Sequence, residues 1–480
     1  ALPLDAPVLG AEDTAEGMVI PSLREAYVSA DFRVAAFGAA DRLTSEAWWQ
    51  QHEVRCGLDP FLEGFLTAPK AVEAPILLLG LPGSGKSLLT KVLAARLPAE
   101  DFLVVRVPLR DVPADTGVQD QIEAAIQQAT GERSIHWADV VRAAGTALPV
   151  VLLDGFDELL QATGLHQSDY LERVAHFQQR EAALGRPLAI VVTTRTVVAD
   201  RARLTPGGIA IRLEPFSTVQ TGRWLEMWNQ KNAVYFSRHG LRPLTHEQAL
   251  AQPDLASQPL LLLMLALYDA QDNAYQREAG TLADFELYER LLARFARREV
   301  LKHEARLTDE DLAQAIENEL LRLSVAAFAM FNRGRQWVTE DELDRDLRVL
   351  LPQQDSPSTG LRATLSGAQR AIGRFFFIHR AEAFRDDARL RSYEFLHATF
   401  GEFLVARLVA QELQDLIAAE RAEARKARRS RTDDSFLRRH LEHGQQGPDL
   451  GLAAATHDNR FGAAVEAGSV HAADRRDPAH

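Results

Sequence analysis

Four consecutive apolar residues, Ile76 to Leu79, run into Gly80-Leu81-Pro82-Gly83-Ser84-Gly85-Lys86-Ser87, and apolar residues return at helical spacing at Leu88, Leu89, Val92 and Leu93. An uninterrupted apolar run of this length reads as a strand buried on both faces of a parallel sheet. The break fits G-x-x-x-x-G-K-[ST], with the preceding strand and following helix that this phosphate-binding pattern requires. Glycines let the backbone curl so that its N–H groups converge on an anion at the positive end of a helix. Lys86 adds a point charge for β and γ phosphates, and Ser87 offers a hydroxyl to Mg²⁺. The expected nucleotide-binding set is Gly80, Pro82, Gly83, Ser84, Gly85, Lys86, Ser87 and Leu88. The competing reading is a glycine-rich strand-to-helix turn with no ligand.

A second pattern supports the nucleotide. Val150-Val-Leu-Leu-Asp154-Gly155-Phe156-Asp157-Glu158 ends an apolar run in a carboxylate, which places Asp154 at the carboxyl edge of the sheet beside the phosphate loop. Asp154 suits Mg²⁺ held through water, and Glu158, with Asp157 as the second choice, suits orienting and deprotonating an attacking water. These acids can also be read as complementing a helix macrodipole. A third run, Ile190-Val-Val-Thr-Thr194-Arg195, puts Thr194 and Arg195 where the next strand ends, able to read the γ-phosphate and balance its charge. A surface ion pair is the plainer role for Arg195.

Runs and helical stretches alternate over residues 75–216, the signature of a parallel α/β sheet. Residues 1–74 read as a loose arm and a few short helices, with Val34, Phe37, Trp48, Trp49, Phe61, Phe65 and Leu66 at helical spacing. Strands vanish from 217 to 305, where a helical lid is expected with Trp224 and Trp228 facing its core. Over 306–416 helices lead to two strand-like runs, Phe375–Ile378 and Tyr393–Leu396, around a charged turn, and a helix over Phe400–Leu416 follows, the order of a winged-helix domain. Residues 417–480 turn Arg-rich and then lose all period, and disorder is expected there. The fold class is an α/β P-loop NTPase core followed by helical lid and winged-helix domain.

Composition narrows the partners. A formal charge of −13 argues against nucleic acid, and the Arg-rich run 421–439 carries no interleaved aromatics for base stacking. The longest apolar run, Leu260 to Leu267, is too short for a bilayer, so no membrane partner is expected. One cysteine, Cys56, excludes an intrachain disulfide and fits a reducing cytoplasm. The chain starts at Ala1 rather than Met, as a piece of a longer protein would.

These motifs resemble the NACHT family of signal-transducing P-loop NTPases, the STAND class that includes the NOD-like receptors. The resemblance rests on Asp154-Gly155-Phe156-Asp157-Glu158, on Thr194-Arg195, and on Gln258-Pro259-Leu260, similar to the family's lid proline near the base. It rests most on Tyr393-Glu-Phe395-Leu-His397-Ala-Thr-Phe400-Gly401-Glu402-Phe403, similar to F-x-H-x-x-F-x-E-[FY], although Gly401 stands where the family usually has Gln. The resemblance implies that Pro259 and His397 contact bound ADP, His397 at the β-phosphate. It implies a switch with ATP/ADP and Mg²⁺ as cofactors, closed with ADP, self-associating with ATP, hydrolysing weakly and answering an unknown trigger ligand, in bacteria as anti-phage immunity. Read from the residues alone, Pro259 is equally a helix-start proline and His397 a packed histidine. Two other functions stay open: a continuously cycling AAA+-type ATPase, and a winged-helix DNA-binding regulator tuned by nucleotide.

Overall fold

The computed structural model describes residues 4–8, 17–38, 41–132, 134–163, 169–196, 199, 207–278, 284–303, 307–351, 375, 378–385, 388–395 and 398–425. The chain divides into two compact units, Ala1–Gly280 with Ala381–Leu390, and Thr281–Arg380 with Arg391–His480.

The first unit is built on a six-stranded sheet of β1 (Phe32–Ala36), β2 (Ile76–Gly80), β3 (Phe102–Pro108), β4 (Leu148–Asp154), β5 (Ala189–Arg195) and β6 (Ile209–Leu213), in the order β1-β6-β2-β5-β4-β3. β2 to β6 are mutually parallel, as their apolar runs predict. Alternate residues serve two cores. Leu77, Leu79, Val151, Leu153, Ile190 and Val192 pack with Trp137, Phe156, Tyr170 and Phe177 on one face. Ile76, Leu78, Val150, Leu152 and Val191 pack with Leu58, Leu62, Leu66, Leu89 and Leu93 on the other. The helix Lys86–Arg96 leaves β2 directly, so the phosphate loop sits at the carboxyl edge of the sheet.

The N-terminal segment departs from expectation. Phe32–Ala36 is a strand, not part of a helix, and pairs antiparallel with β6 from Phe32↔Leu213 to Ala36↔Ile209. Without it β6 would leave a row of backbone groups unpaired at an edge. The described part of the expected loose arm is also fixed: Leu4 is buried, and Arg24 N donates to Leu4 O at 2.9 Å. The same segment reaches the lid. Glu214 N donates to Asp31 O at 2.8 Å, Gln220 Nε2 to Ser29 O at 2.8 Å, and Val19 exchanges two hydrogen bonds with the Asn232 amide. The helices Thr218–Lys231, Ala233–His239, His246–Leu250, Pro253–Ala256 and Pro259–Asp269 fill the stretch expected to be a lid, with Trp224 and Trp228 stacked at 5.9 Å and buried as expected.

In the second unit the helix Asp284–His303, expected in the lid, packs with Asp309–Asn332 and Ala398–Arg425. Arg407 ties the three, with Nε 2.9 Å from Glu289 Oε2 and Nη2 2.6 Å from Glu317 Oε2. A three-stranded sheet runs in the order β7 (Trp337–Thr339), β9 (Ala388–Phe395), β8 (Ile378–Arg385). Its last two strands take in the charged stretch expected to be a turn, because alternation, not aromatic content, sets which residues pair. The last helix begins at Ala398 and runs on to Arg425, past the expected end at Leu416, and the Arg-rich segment from residue 426 lies outside the described residues.

Phe32 is 1% exposed and belongs to the core under the sheet. Phe32→Ala should therefore destabilise the first unit by about 3–5 kcal/mol, read from the urea midpoint. A detachable arm would give a change within about 0.5 kcal/mol.

Candidate functional site

The site forms where β2, β4 and β5 end. Gly83 and Gly85 adopt φ of 73° and 90°, a left-handed conformation that glycine takes readily and that a phosphate-binding loop requires. Lys86, Ser87 and Leu88 open the helix that follows, and Lys86 Nζ donates to the carbonyls of Gly80 at 2.9 Å and Leu81 at 2.8 Å. Burial lowers the Lys86 ammonium to about 8, against the opposing pull of Asp157, and Arg195 lowers it further. The same field includes Asp154 and Glu158, so the expected cation and the expected acids converge.

Asp154 is buried at the tip of β4 and fully engaged. Its Oδ1 accepts from Ser87 Oγ at 3.1 Å and Thr193 Oγ1 at 2.8 Å; its Oδ2 accepts from Thr90 Oγ1 at 3.3 Å and from Arg106 Nη2. Thr193 Oγ1 in turn accepts from Gly155 N at 2.8 Å. Asp157 and Arg195 form a buried pair, Nε to Oδ2 at 2.7 Å, each side chain 5% exposed. Arg195 is therefore no surface ion pair. Gly155, at φ 92°, lets Glu158 fold close: a Cβ there would stand 3.1 Å from the Glu158 carboxyl carbon. Glu158 itself is buried.

Pro259 is the first residue of its helix, and Gln258 caps it with no side-chain bond. That helix starts against the phosphate loop: a Cβ on Gly83 would lie 3.7 Å from Leu260 Cβ and 3.8 Å from Gln258 Oε1. The helix-start reading of Pro259 is the one the helix bears out. His397 lies outside the described residues.

The residues fit a Mg²⁺–phosphate group. Ser87 Oγ and Asp154 Oδ1 make a close pair of hard oxygen donors, the kind Mg²⁺ takes together with phosphate oxygens. Among the described residues no cluster of three His, Cys, Asp or Glu side chains could hold a metal. Ser84 Oγ and Thr194 Oγ1 are buried without a hydrogen-bond partner among the described residues, an arrangement that phosphate oxygens would satisfy. When bound, Mg²⁺ supplies neutralisation of the β and γ oxygens.

Arg106 and Thr90 belong to none of the motifs in the sequence, and Thr193 only adjoins the Thr194-Arg195 pair. The signal was there for Arg106: a lone cation in the apolar strand Phe102-Leu-Val-Val-Arg106-Val must find a carboxylate.

Residues 76–207 match the family model for ATPases associated with various cellular activities (AAA). This segment holds the phosphate loop, the acidic motif Asp154–Glu158 and Thr194-Arg195, but neither Pro259 nor His397. Among solved structures the chain is similar to Cdc6p from Pyrobaculum aerophilum, 16% identical over 79% of this chain and 97% of that one, with a TM-score of 0.28. It is also similar to ORC2 of Aeropyrum pernix, in ADPNP and ADP complexes, 12% identical over 78% and 100%, with a TM-score of 0.31. No curated protein matches the chain at a significant level. No helix among the described residues is long and apolar enough to cross a membrane.

The lowered Lys86 ammonium sets a pH dependence. Lys86 is cationic below about 8 and loses its proton above that value, and phosphates favour the cation. Affinity for ADP, measured by calorimetry, should be flat below pH 8 and then fall by up to about tenfold per unit, until the pKa of the complex is passed. A flat profile to pH 10 would show that Lys86 keeps its proton there or does not face the phosphates.

Proposed function

We propose that this chain is a nucleotide-controlled switch of the NACHT/STAND kind. The α/β core, helical lid and winged-helix domain close over ADP. ATP opens them, the open form self-associates, and slow hydrolysis restores the closed form. Lys86 and the loop N–H groups hold the phosphates, and Ser87 and Asp154 hold Mg²⁺. Glu158, buried at the start of the helix after β4, orients and deprotonates water, with Asp157, paired to Arg195, as the second choice. Thr194 and Arg195 read the γ-phosphate end.

The observation that carries this reading is the lid helix Pro259–Asp269. It starts at the phosphate loop, yet Pro-Leu-Leu-Leu-Leu-Met-Leu-Ala-Leu-Tyr-Asp contains no Lys or Arg. A helix placed so can report the nucleotide by packing, but it brings no cation to the charge that develops during phosphoryl transfer. Tight sensing with weak hydrolysis suits a switch, which a ligand moves only by its differential affinity for two states. By resemblance the setting is the bacterial cytoplasm and the role anti-phage defence, with a trigger ligand to be found. The formal charge of −13 disfavours a DNA-binding regulator.

The family match over 76–207 favours a second reading, a continuously cycling AAA-type ATPase. Turnover separates them. The switch should retain ADP through purification and hydrolyse ATP at about 0.01 per second or slower without a trigger. A rate of about 1–100 per second would establish the cycling enzyme instead. Glu158→Gln should keep nucleotide binding and slow hydrolysis by about tenfold to a thousandfold.

The proposed tie between His397 and the diphosphate has its own test. Loss of a hydrogen bond to a charged group costs about 1.5–3 kcal/mol, which moves a two-state equilibrium about ten- to a hundredfold. His397→Ala should release a fluorescent ADP analogue faster and raise the oligomer fraction in light scattering. Unchanged release would remove the lock from the mechanism.

A further inference from the structure

Asp154 has two claimants of positive charge. One is the Mg²⁺ that accompanies nucleotide; the other is Arg106. Arg106 lies on β3, the edge strand of the sheet, and its Nη2 pairs with Asp154 Oδ2 while its Nε donates to Thr90 Oγ1 at 3.0 Å. The pair is secluded, with 11% of the Arg106 side chain and 4% of the Asp154 side chain exposed. Thr90 lies one helical turn beyond Ser87, so the hydroxyl that steers Arg106 and the hydroxyl suited to Mg²⁺ share one helix face. Further cations stand near. The Lys91 ammonium is lowered first by burial and then by Arg106 and Arg110. The Asp154 carboxylate therefore already faces a guanidinium before any metal arrives.

We propose that Arg106 is a built-in counter-cation that competes with Mg²⁺ for Asp154. A guanidinium is permanently charged and cannot yield by losing a proton. Mg²⁺ binding must therefore work against its charge or move it off Oδ2. Divalent binding and the Arg106–Asp154 contact are linked with negative sign, and the linkage is reciprocal. The effect is a raised threshold: nucleotide binds at the loop, but its Mg²⁺-dependent form is reached only at a higher Mg²⁺ concentration. The inference rests on nucleotide binding at the loop and is independent of whether the chain switches or cycles.

The test uses the full chain, a fluorescent ADP analogue and Mg²⁺ titrated into metal-depleted buffer, with wild type, Arg106→Gln and Arg106→Lys. Arg106→Gln should lower the Mg²⁺ midpoint for nucleotide retention by on the order of tenfold. It should also lower the melting temperature more in EDTA than in saturating Mg²⁺, because the metal then replaces the missing charge. Arg106→Lys keeps a charge but neither the fork nor the permanent proton, and should fall between wild type and Arg106→Gln. If Arg106→Gln does not fold, Thr90→Val removes the hydroxyl that aims Arg106 and should shift the midpoint in the same direction by less. An unchanged Mg²⁺ midpoint, with melting lowered equally in EDTA and Mg²⁺, would overturn the proposal and leave nucleotide binding intact. Failure of the wild type to bind the analogue at all would overturn the phosphate-site reading beneath it.

Discussion

A carboxylate buried at the end of a strand is the constraint around which this site is arranged. Asp154 is carried out of water by β4, and a buried charge is tolerated only when its lone pairs are met. Its partners come from every neighbour: Ser87 and Thr90 from the helix after the loop, Arg106 from β3, Thr193 from β5. Each bond fixes one of those elements relative to the strand. The loop is thus positioned twice, by its own glycine turns and by the hydroxyls of the helix it starts.

That arrangement depends on a sheet whose strand ends lie level. Register supplies this: Leu79 lies opposite Thr194, and Pro108 opposite Asp154, so the polar residues arrive together at one edge. The apolar residues behind them fill two cores, and the polar cluster therefore has little freedom to drift. Arg195 and Asp157 show the result. Their pairing spans two elements and is almost entirely shielded from solvent, which makes Arg195 a fixed charge and not a roaming one.

What the sequence revealed was what is local. The loop, its helix and the acid at the end of β4 were legible because strand, turn and helix signals lie within a dozen residues of one another. β1 was not. Phe32-Arg-Val-Ala-Ala is short, holds a charge, and becomes a strand only because β6 offers it an edge. Arg106 hid within an apolar run whose partner lies on the next strand. The helix ending at Arg425 outran its expected stop because Ala, Glu and Arg continue a helix after the apolar face has ended. Thr194 and the lid proline were placed by motif, and their neighbours at the site emerged only with the tertiary contacts.

The hydrogen bond from Glu214 to Asp31 has a mechanical meaning. β1 begins where β6 ends, and the chain leaves β6 for the lid at that same corner. Residues before Phe32 and the root of the lid are therefore two arms on one fulcrum. The Val19–Asn232 bonds and the Glu25–Lys231 ion pair strap those arms together further out. A torque applied to the chain ahead of β1 would be delivered to the helix Thr218–Lys231 before it reached the sheet.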